Sequence, residues 1–587
     1  MKIKLQNRKF LFGIGIGVLI FCQAYVWMLN RFLDPLCYVL CFALLAFMYV
    51  QTCKEPPKRR EIIIGGVFSL ILSMVFVVGD KISFNDDVFG PYTVNFIYPL
   101  TIQDWIGVLC WIPLVFVVIY GLCCVARRNA VPIQEGKISK KRGLLLWALL
   151  SGFIMICWLP YLLAYYPGVV VGDSIASLNQ ALGKTPYTNH YPVMYTLFVK
   201  LFMEIGGTTG SYNRGVFLYS FVQYTLMAAT AGYSVYWMLR KRVPWILVVI
   251  AELYYAFTRI FAVYAISMWK DPLFSAALLL FSLLLLDIGI SKGDKLKEKR
   301  TIVAFVLLGF VIIFWRNNGI FLVAVISVIL AIVYRKRVLK LGVSALSMIL
   351  VCMLIQGPIY DVLGIQKDTV EESLGVPIQQ IAGVIAEDRE LTAEQEQVLF
   401  QLLPETEWKE SYTPAIADSI KFHNDFNEQY LEENLGDFLK VWIQLLPSNL
   451  DIYVEAYLME TLGFWQIGLE NSAGFYYFYV DGNDFGIQRV DMAERLLGIP
   501  LEDELMWWVD YMSTGALVWL VLLGGLLTLL QKKYDLLPGF LPPILLWLTI
   551  MLATPIAFSL RYVFLLAYGL PLFLLLPFLR TDTKTDK

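Results

Sequence analysis

Long apolar segments, each close to the length needed to cross a bilayer, alternate with short polar ones along the chain. A window of ~20 apolar residues spans ~30 Å of hydrocarbon. The pattern predicts an α-helical polytopic membrane protein with about fourteen transmembrane helices, near 10–30, 35–50, 62–79, 105–125, 144–164, 215–239, 245–266, 272–290, 301–315, 318–334, 340–358, 514–531, 538–557 and 562–579. The first segment is longer than a cleaved signal peptide, and no small-residue cleavage site follows it.

Composition agrees with a membrane protein and reveals an uneven distribution of charge. The chain has 587 residues, is 58% hydrophobic, and has a mean hydropathy of +0.64, well above soluble globular proteins. Its formal net charge is only -1, yet residues 359–512 hold 30 Asp plus Glu against 7 Lys plus Arg. The other segments are therefore basic overall.

Lys and Arg clusters determine the predicted orientation, because such clusters stay on the cytoplasmic side. They fall after every second predicted span, for example at 54–60, 127–142, 240–242 and 292–300. We therefore expect a cell-membrane protein with both termini in the cytoplasm and with residues 359–512 outside.

Three regions follow from this topology. Residues 1–358 form a transmembrane region whose large outer loop, 165–214, is the candidate catalytic loop. Residues 359–512 form an acidic extracytoplasmic domain of mixed or helical structure, and residues 513–587 hold the C-terminal transmembrane helices. Cysteine is absent from 359–512, so neither a disulfide framework nor a thiolate metal site is expected there.

The outer loop opens with an unusually polar stretch, YYPGVVVGDSIASLNQALGKTPYTNHYP. Asp173 lies just past a predicted span, and Gly172 before it permits an unusual backbone angle. A partly buried carboxylate at this depth can serve as a general base. The same aspartate also fits the start of a helix over 174–182, where it would be the N-cap. His190 is one of two histidines in the chain.

Three further outer turns carry charge. Each cation lies on the side where the positive-inside bias would not place it. The turns are SMWKDPLF, FWRNNGIF and SLRYVF, which contribute Lys270, Asp271, Arg316, Asn317, Arg561 and Tyr562. Arginine binds phosphate in a bidentate fashion and lysine as a point charge, so three cations at one membrane face favour an anionic lipid headgroup. The alternative is anchoring of each helix end by a snorkelling side chain.

Inside the membrane, the segment AELYYAFTRIFAVY holds Glu252 and Arg259 seven residues apart. On a continuous helix this spacing places both side chains on roughly one face. The pair indicates either a polar groove or a mutually neutralising structural ion pair.

The motifs GDS in the first large outer loop, KDP at a helix start, RNNG, and RY entering the last helix together resemble the integral-membrane glycosyltransferases of the GT-C superfamily. The wider pattern YYPGVVVGDS, PYTNHYP and SMWKDP looks like a bacterial subfamily of unknown function. The similarity extends over about 150–320 and, more weakly, through the acidic domain.

This resemblance implies a GT-C-like fold and inverting transfer of a sugar from a polyprenyl-phosphate donor to a cell-surface glycan, lipid or protein acceptor. Asp173 would be the base, or would hold the acceptor and a divalent cation, Mg or Mn. Lys270, Arg316 and Arg561 would bind the phosphate leaving group, with Asn317 and Tyr562 beside them. Relatives commonly carry two adjacent acids in this loop, whereas Asp173 stands alone, so Asp271 or His190 can share its role.

Two other classes of protein remain open. A polysaccharide polymerase or ligase would use the same face and the same lipid phosphate. A lipid or solute transporter, such as a flippase, would show inverted repeats and midplane polar residues, whereas ionisable residues here concentrate at the outer face. No nucleotide-binding glycine loop lies on the basic side, so a sugar donor used outside has to be lipid-borne.

Overall fold

The computed structural model describes residues 2–29, 35–136, 138–335, 339–469, 476–501, 504–505, 512–553 and 556–581. Helices dominate it. The first fifteen are α1 Lys2–Leu29, α2 Pro35–Lys54, α3 Arg59–Gly79, α4 Ile102–Arg128, α5 Lys140–Ala164, α6 Asp173–Ala181, α7 Val193–Thr208, α8 Tyr212–Arg240, α9 Trp245–Phe257, α10 Arg259–Ile266, α11 Lys270–Ile290, α12 Lys299–Trp315, α13 Gly319–Val333, α14 Leu339–Leu354 and α15 Tyr360–Val362.

The remaining helices belong to the acidic segment and to the C-terminal region. They are α16 Gly375–Ala386, α17 Ala393–Leu402, α18 Glu405–Glu410, α19 Asp418–Lys421, α20 Glu428–Glu433, α21 Leu435–Leu445, α22 Leu450–Glu460, α23 Met492–Leu497, α24 Thr514–Leu530, α25 Leu541–Leu552, α26 Phe564–Tyr568 and α27 Leu570–Leu575. Two short sheets pair β1 Ile82–Ser83 with β2 Phe96–Ile97, antiparallel, and β3 Val131–Pro132 with β4 Leu579–Arg580, parallel.

Within the described residues, seven helices are long and apolar enough to cross a membrane. Two bent helix pairs raise that number to nine if each pair is a single span. The chain is therefore a helical membrane protein, as the hydrophobic pattern predicts. Both predicted cytoplasmic ends, Met1 and 582–587, lie outside the described residues.

One of the bent pairs corrects the expectation for Glu252 and Arg259. Their segment is not one helix: α9 ends at Phe257, α10 begins at Arg259, and the two axes differ by 52°. Thr258 between them has an extended backbone, so the seven-residue spacing no longer defines a common face. Both carboxylate oxygens of Glu252 are buried without a hydrogen bond to a described residue, so the neutralising hydrogen-bonded pair is not formed.

The acidic segment is helical where the structure describes it between Gly375 and Glu460. Helices α16 to α22 enclose their own apolar core, which includes Ile381, Trp408 and Phe438. The chain then returns to the loop 165–214, where Val480 forms a β-bridge with Val170 and Val490 forms one with Tyr166. This return fastens the acidic segment to the loop 165–214.

One cluster of basic side chains lies where α8 and α11 end. At the end of α8, Lys241 lies 2.9 Å from Asp287 of α11, and Lys295 lies 2.7 Å from the same carboxylate. Helix α11 begins at Lys270, and its 21 residues give a length of ~30 Å. Lys270 and Asp287 therefore mark two ends of the bundle about one membrane thickness apart.

Candidate functional site

Backbone pairing brings the loop 165–214 and the start of α11 together. Val169 donates its N–H to the carbonyl of Ile266 at 3.0 Å, and its carbonyl accepts from the N–H of Met268 at 2.9 Å. The hydroxyl of Ser174 donates to the carbonyl of Met268 at 2.8 Å. These bonds place the GDS sequence next to the KDP sequence.

Asp173 is the first residue of α6, and its side chain does not cap that helix. The N-cap is Gly172, with φ 48°, and no side chain hydrogen-bonds to the free N–H groups. The N-cap interpretation of Asp173 is therefore wrong, while the unusual backbone angle expected at Gly172 is confirmed. Instead, the Asp173 carboxylate forms an ion pair with Nη2 of Arg561, 2.9 Å away.

Arg561 lies among aromatic rings at the start of the last helical segment. Its guanidinium carbon is 5.4 Å from the ring centre of Trp269 and 5.0 Å from that of Tyr562. It also donates a hydrogen bond of 3.2 Å to the Tyr562 hydroxyl. Cation–π contacts of this kind hold a guanidinium in a fixed orientation.

Asp271 and Arg316 form the deepest pair of the site. Nη1 of Arg316 lies 2.9 Å from Asp271 Oδ1, and Nε of Arg561 lies 4.0 Å from Asp271 Oδ2. The Asp271 side chain is only 1% exposed. The ring of Tyr562 is near both guanidiniums, with its centre 5.1 Å from Arg316 and 5.0 Å from Arg561. Asp271 thus serves as the common counter-ion of two arginines.

Lys270 supplies a third cation that these carboxylates do not pair with. Its ammonium faces the ring of Tyr191 at 5.6 Å and forms no ion pair with any residue the structure describes. The side chain is partly exposed. The carboxylates of Asp173, Asp271 and Asp368 together match the three charges of Lys270, Arg316 and Arg561, and the charge of Lys270 acts on both Asp173 and Asp368 through space. Among the described residues, Arg316 and Arg561 each have an ion-pair partner and Lys270 has none, so its ammonium is available to an anion.

His190 lies beside this cluster and is oriented by the acidic segment. Its Nδ1 is 3.1 Å from Oδ1 of Asp368, and because a carboxylate only accepts, Nδ1 carries a proton. Nδ2 of Asn317 donates to the carbonyl of Asn189 at 2.8 Å and is 3.4 Å from Oδ2 of Asp368. Asn317 therefore positions the His190 loop.

Lys421, Asp418 and Glu372 form a second charged group next to His190. The ammonium of Lys421, fully buried, is 2.9 Å from Asp418 and 3.1 Å from Glu372. Glu372 is also 3.9 Å from His190. Burial raises the pKa of Asp418, and Lys421 only partly offsets this. This group connects the core of the acidic segment to the site.

Electrostatics favour the charged form of the central carboxylate. Burial alone would raise the pKa of Asp173, but the charges of Arg561 and Lys270 outweigh burial and lower the pKa to about 2. Burial likewise opposes ionisation of Asp368, while its hydrogen bond from His190 lowers the pKa. Burial and the charge of Asp173 raise the pKa of Tyr191 to about 12. Asp173 and Asp368 are thus anions at neutral pH.

The expected divalent cation finds no ligand set here. Within the described residues, no group of three or more His, Cys, Asp or Glu side chains is placed to hold a metal ion. Asp173 and Asp271 are each paired with an arginine, whereas a divalent cation takes oxygen ligands that surround it. The side chains present do not fit a resident Mg or Mn.

The structure brings together all the residues singled out in the outer turns, namely Asp173, His190, Lys270, Asp271, Arg316, Asn317, Arg561 and Tyr562. Sequence reasoning missed Asp368, Glu372, Asp418 and Lys421. These four residues lie in a long polar segment that contains many charged side chains, and no sequence motif distinguishes them from the others. Trp269 lies in the motif SMWKDPLF, directly before Lys270, and Tyr191 lies in PYTNHYP, directly after His190.

Comparison with known proteins gives one family. A search of curated proteins and a search of solved structures each returned no match to the chain. A family model matches residues 182–587, which include every residue of the cluster except Asp173. Because that match covers more than half of the chain, the protein belongs to the family described as "Family of unknown function (DUF6020)".

Proposed function

We propose that the protein transfers a sugar from a polyprenyl-phosphate donor to a glycan, lipid or protein acceptor at the outer face of the cell membrane. The observation that carries this proposal is the unpaired ammonium of Lys270 beside two arginines and two carboxylates at one end of the bundle. A phosphate monoester or diester would give this ammonium an ion-pair partner. The donor would place its phosphate in this cluster and its isoprenoid chain in the membrane.

The orientation of the helices supports an outer site. The cluster lies at one end of α11, and the basic cluster around Asp287 lies at the other. Since basic clusters favour the cytoplasmic side, the site would face outside, where nucleotide sugars are absent and the donor has to be carried by a lipid. About fourteen spans and a GT-C-like arrangement of the helices are part of the same proposal.

The reaction would proceed by inversion at the anomeric carbon. An acceptor hydroxyl attacks that carbon, the bond from the carbon to the phosphate oxygen breaks, and the electron pair leaves with the polyprenyl phosphate. Lys270, Arg316 and Arg561 stabilise the negative charge that develops on the phosphate. The hydroxyl proton passes to the carboxylate of Asp173.

The ion pair between Asp173 and Arg561 gives the donor a second role. A phosphate bound to Arg561 replaces Asp173 as its counter-ion, and the freed carboxylate then has a higher pKa and is a better base. Asp271 remains buried between the two arginines and positions them. His190, oriented by Asp368, can accept the proton from the acceptor side. No step passes through a metal ion.

The test is the lipid content of cells that lack the gene. We expect a single sugar linked to polyprenyl phosphate to accumulate in the outer leaflet. Wild-type protein should remove it, and Lys270→Gln should not. Lys409→Gln, which changes an ion-paired lysine of the acidic segment, is the matched control and should behave like the wild type.

Other outcomes identify the rival functions. A sugar lipid held in the inner leaflet would show transport, and a lipid-linked oligosaccharide would show a polymerase or ligase. Unchanged lipids would contradict the proposal.

A further inference from the structure

A small cavity lies away from the charged cluster, between the acidic segment and the hairpin that joins α3 to α4. Its volume is about 160 Å³, below the ~300–1,000 Å³ of sites for drug-sized ligands. The hairpin contributes Tyr92, Asn95 and Phe96, and the loop between α18 and α19 contributes Tyr412 and Pro414. The rest of the lining comes from α16, α22 and the residues that follow α16. The cavity has room for one small functional group.

Aromatic rings form one wall of the cavity. The rings of Tyr92 and Tyr412 have their centres 5.9 Å apart and are inclined by 33°, and Phe96 lies beside them in the lining. Tyr412 is only 6% exposed, and its hydroxyl forms no hydrogen bond with any described residue. That hydroxyl lies near Gly383, which lines the same cavity. The hydroxyl is therefore available to a hydrogen-bonding group in the cavity.

Carboxylates form the other wall. Glu387, Asp451 and Glu455 line the cavity together with a single cation, Arg389, which lies 2.8 Å from Asp451. One oxygen of Glu455 accepts a hydrogen bond of 2.8 Å from the N–H of Ile97. Burial, followed by the charges of Glu387 and Asp451, raises the pKa of Glu455. Glu387 and Asp451 lie on the exposed side of the cavity, and their charges disfavour ionisation of the half-buried Glu455.

We infer that this cavity binds an ammonium group. A cation would relieve the repulsion among Glu387, Asp451 and Glu455, and aromatic faces attract cations through their quadrupoles. An ammonium with N–H groups can also donate to the Tyr412 hydroxyl and to the carboxylates. A neutral sugar offers hydroxyl donors but no charge, and a whole sugar ring is large for this volume. The site is separate from the cluster around Arg561 and does not depend on the proposed transfer reaction.

The probe is propylammonium, and saturation-transfer NMR on the full-length chain in nanodiscs measures its binding. Three comparisons are informative: 1-propanol has the same shape without charge, tetramethylammonium has charge without N–H donors, and methyl glucoside is hydroxyl-rich and neutral. We expect propylammonium to bind more strongly than tetramethylammonium. We expect neither 1-propanol nor methyl glucoside to compete with it.

Two conservative variants locate the binding. Glu455→Gln keeps an acceptor for the Ile97 N–H but removes one charge, and Tyr412→Phe keeps the ring but removes the hydroxyl. Because hydrogen bonds to charged groups are among the stronger ones, each should weaken propylammonium binding by about tenfold. Glu432→Gln, an exposed acid of α20 outside the cavity lining, is the control and should change nothing.

The lipid composition of the nanodiscs identifies the source of the ammonium group. Competition by phosphatidylethanolamine, with none by phosphatidylglycerol, would show that a lipid headgroup reaches the cavity. Equal binding in both would assign the site to a free amine. Absence of propylammonium binding, equal binding in Glu455→Gln and the wild type, or stronger binding of methyl glucoside would each overturn the inference.

Discussion

Asp173, in the first large loop, and Arg561, near the end of the chain, form an ion pair of 2.9 Å. The arginine side chain is 18% exposed and the aspartate side chain 35%, so a ligand can approach the pair from the side of Asp173. An arginine used only to anchor a helix in lipid headgroups would need no counter-ion from a distant loop. The contact instead joins the two segments that carry the proposed base and the proposed phosphate ligand.

Substitution of Asp173 by asparagine tests the role of its carboxylate. We expect sugar transfer to fall by ~100-fold or more, in the range for loss of a general base, while the amount of protein stays unchanged. The measurement is turnover in membranes, normalised to protein abundance. Asp484→Asn, which removes a carboxylate that is 90% exposed, is the control. Near-normal transfer with reduced abundance would assign Asp173 a structural role only.

Substitution of Arg561 by lysine distinguishes phosphate binding from simple anchoring. Lysine keeps the charge but loses the planar fork that binds phosphate in a bidentate manner. We therefore expect Arg561→Lys to weaken apparent donor affinity nearly as much as Arg561→Ala. Titration of the donor in membranes measures this. Wild-type affinity in the lysine variant would remove Arg561 from the phosphate site.

Asp271 should matter for stability as well as for function. Its side chain is 1% exposed and faces Arg316 and Arg561. Asp271→Asn therefore removes a carboxylate that neutralises both arginines. Breaking a buried ion pair costs about 3–5 kcal/mol, whereas the surface change Asp484→Asn should stay within about 0.5 kcal/mol. Thermal unfolding in detergent compares the two. Equal unfolding temperatures would show that Asp271 does not hold the arginines.

The lowered pKa of Asp173 gives a pH dependence of stability with a defined sign. Its pKa is about 2 in the folded chain, against about 3.9 for an unperturbed aspartate. A depressed folded pKa contributes stability that is present above about pH 4 and is lost as pH falls towards 2. We expect Asp173→Asn to flatten the stability curve between pH 4 and 2 and to leave its slope unchanged above pH 5. An identical slope in both proteins at low pH would contradict the Asp173–Arg561 ion pair.

Much of the architecture could be predicted from hydrophobic length, and the site residues from charge at helix ends. Spans of alternating direction bring every second turn to the same face, so Lys270, Arg316 and Arg561 were expected on one side of the membrane. Their pairing was not predictable, because it depends on how the helices are arranged around one another. A single sequence gives no information about that arrangement.

Other features left no local pattern to detect. The break at Thr258 occurs without proline or glycine, the residues that usually mark a helix end, so the spacing of Glu252 and Arg259 was misleading. Asp368 orients His190 but stands in a loop without periodicity. The N-cap interpretation of Asp173 rested on a local preference, and a distant arginine overrode it.

The most direct test of the central claim is a structure of the chain with a polyprenyl phosphate bound in a lipid nanodisc. We expect phosphate density within hydrogen-bonding distance of Lys270 and Arg561, with the Asp173 carboxylate displaced from Arg561. The Lys270→Gln variant, prepared in the same way, should lose that density. Phosphate bound elsewhere on the protein, with the ion pair between Asp173 and Arg561 intact, would contradict the account.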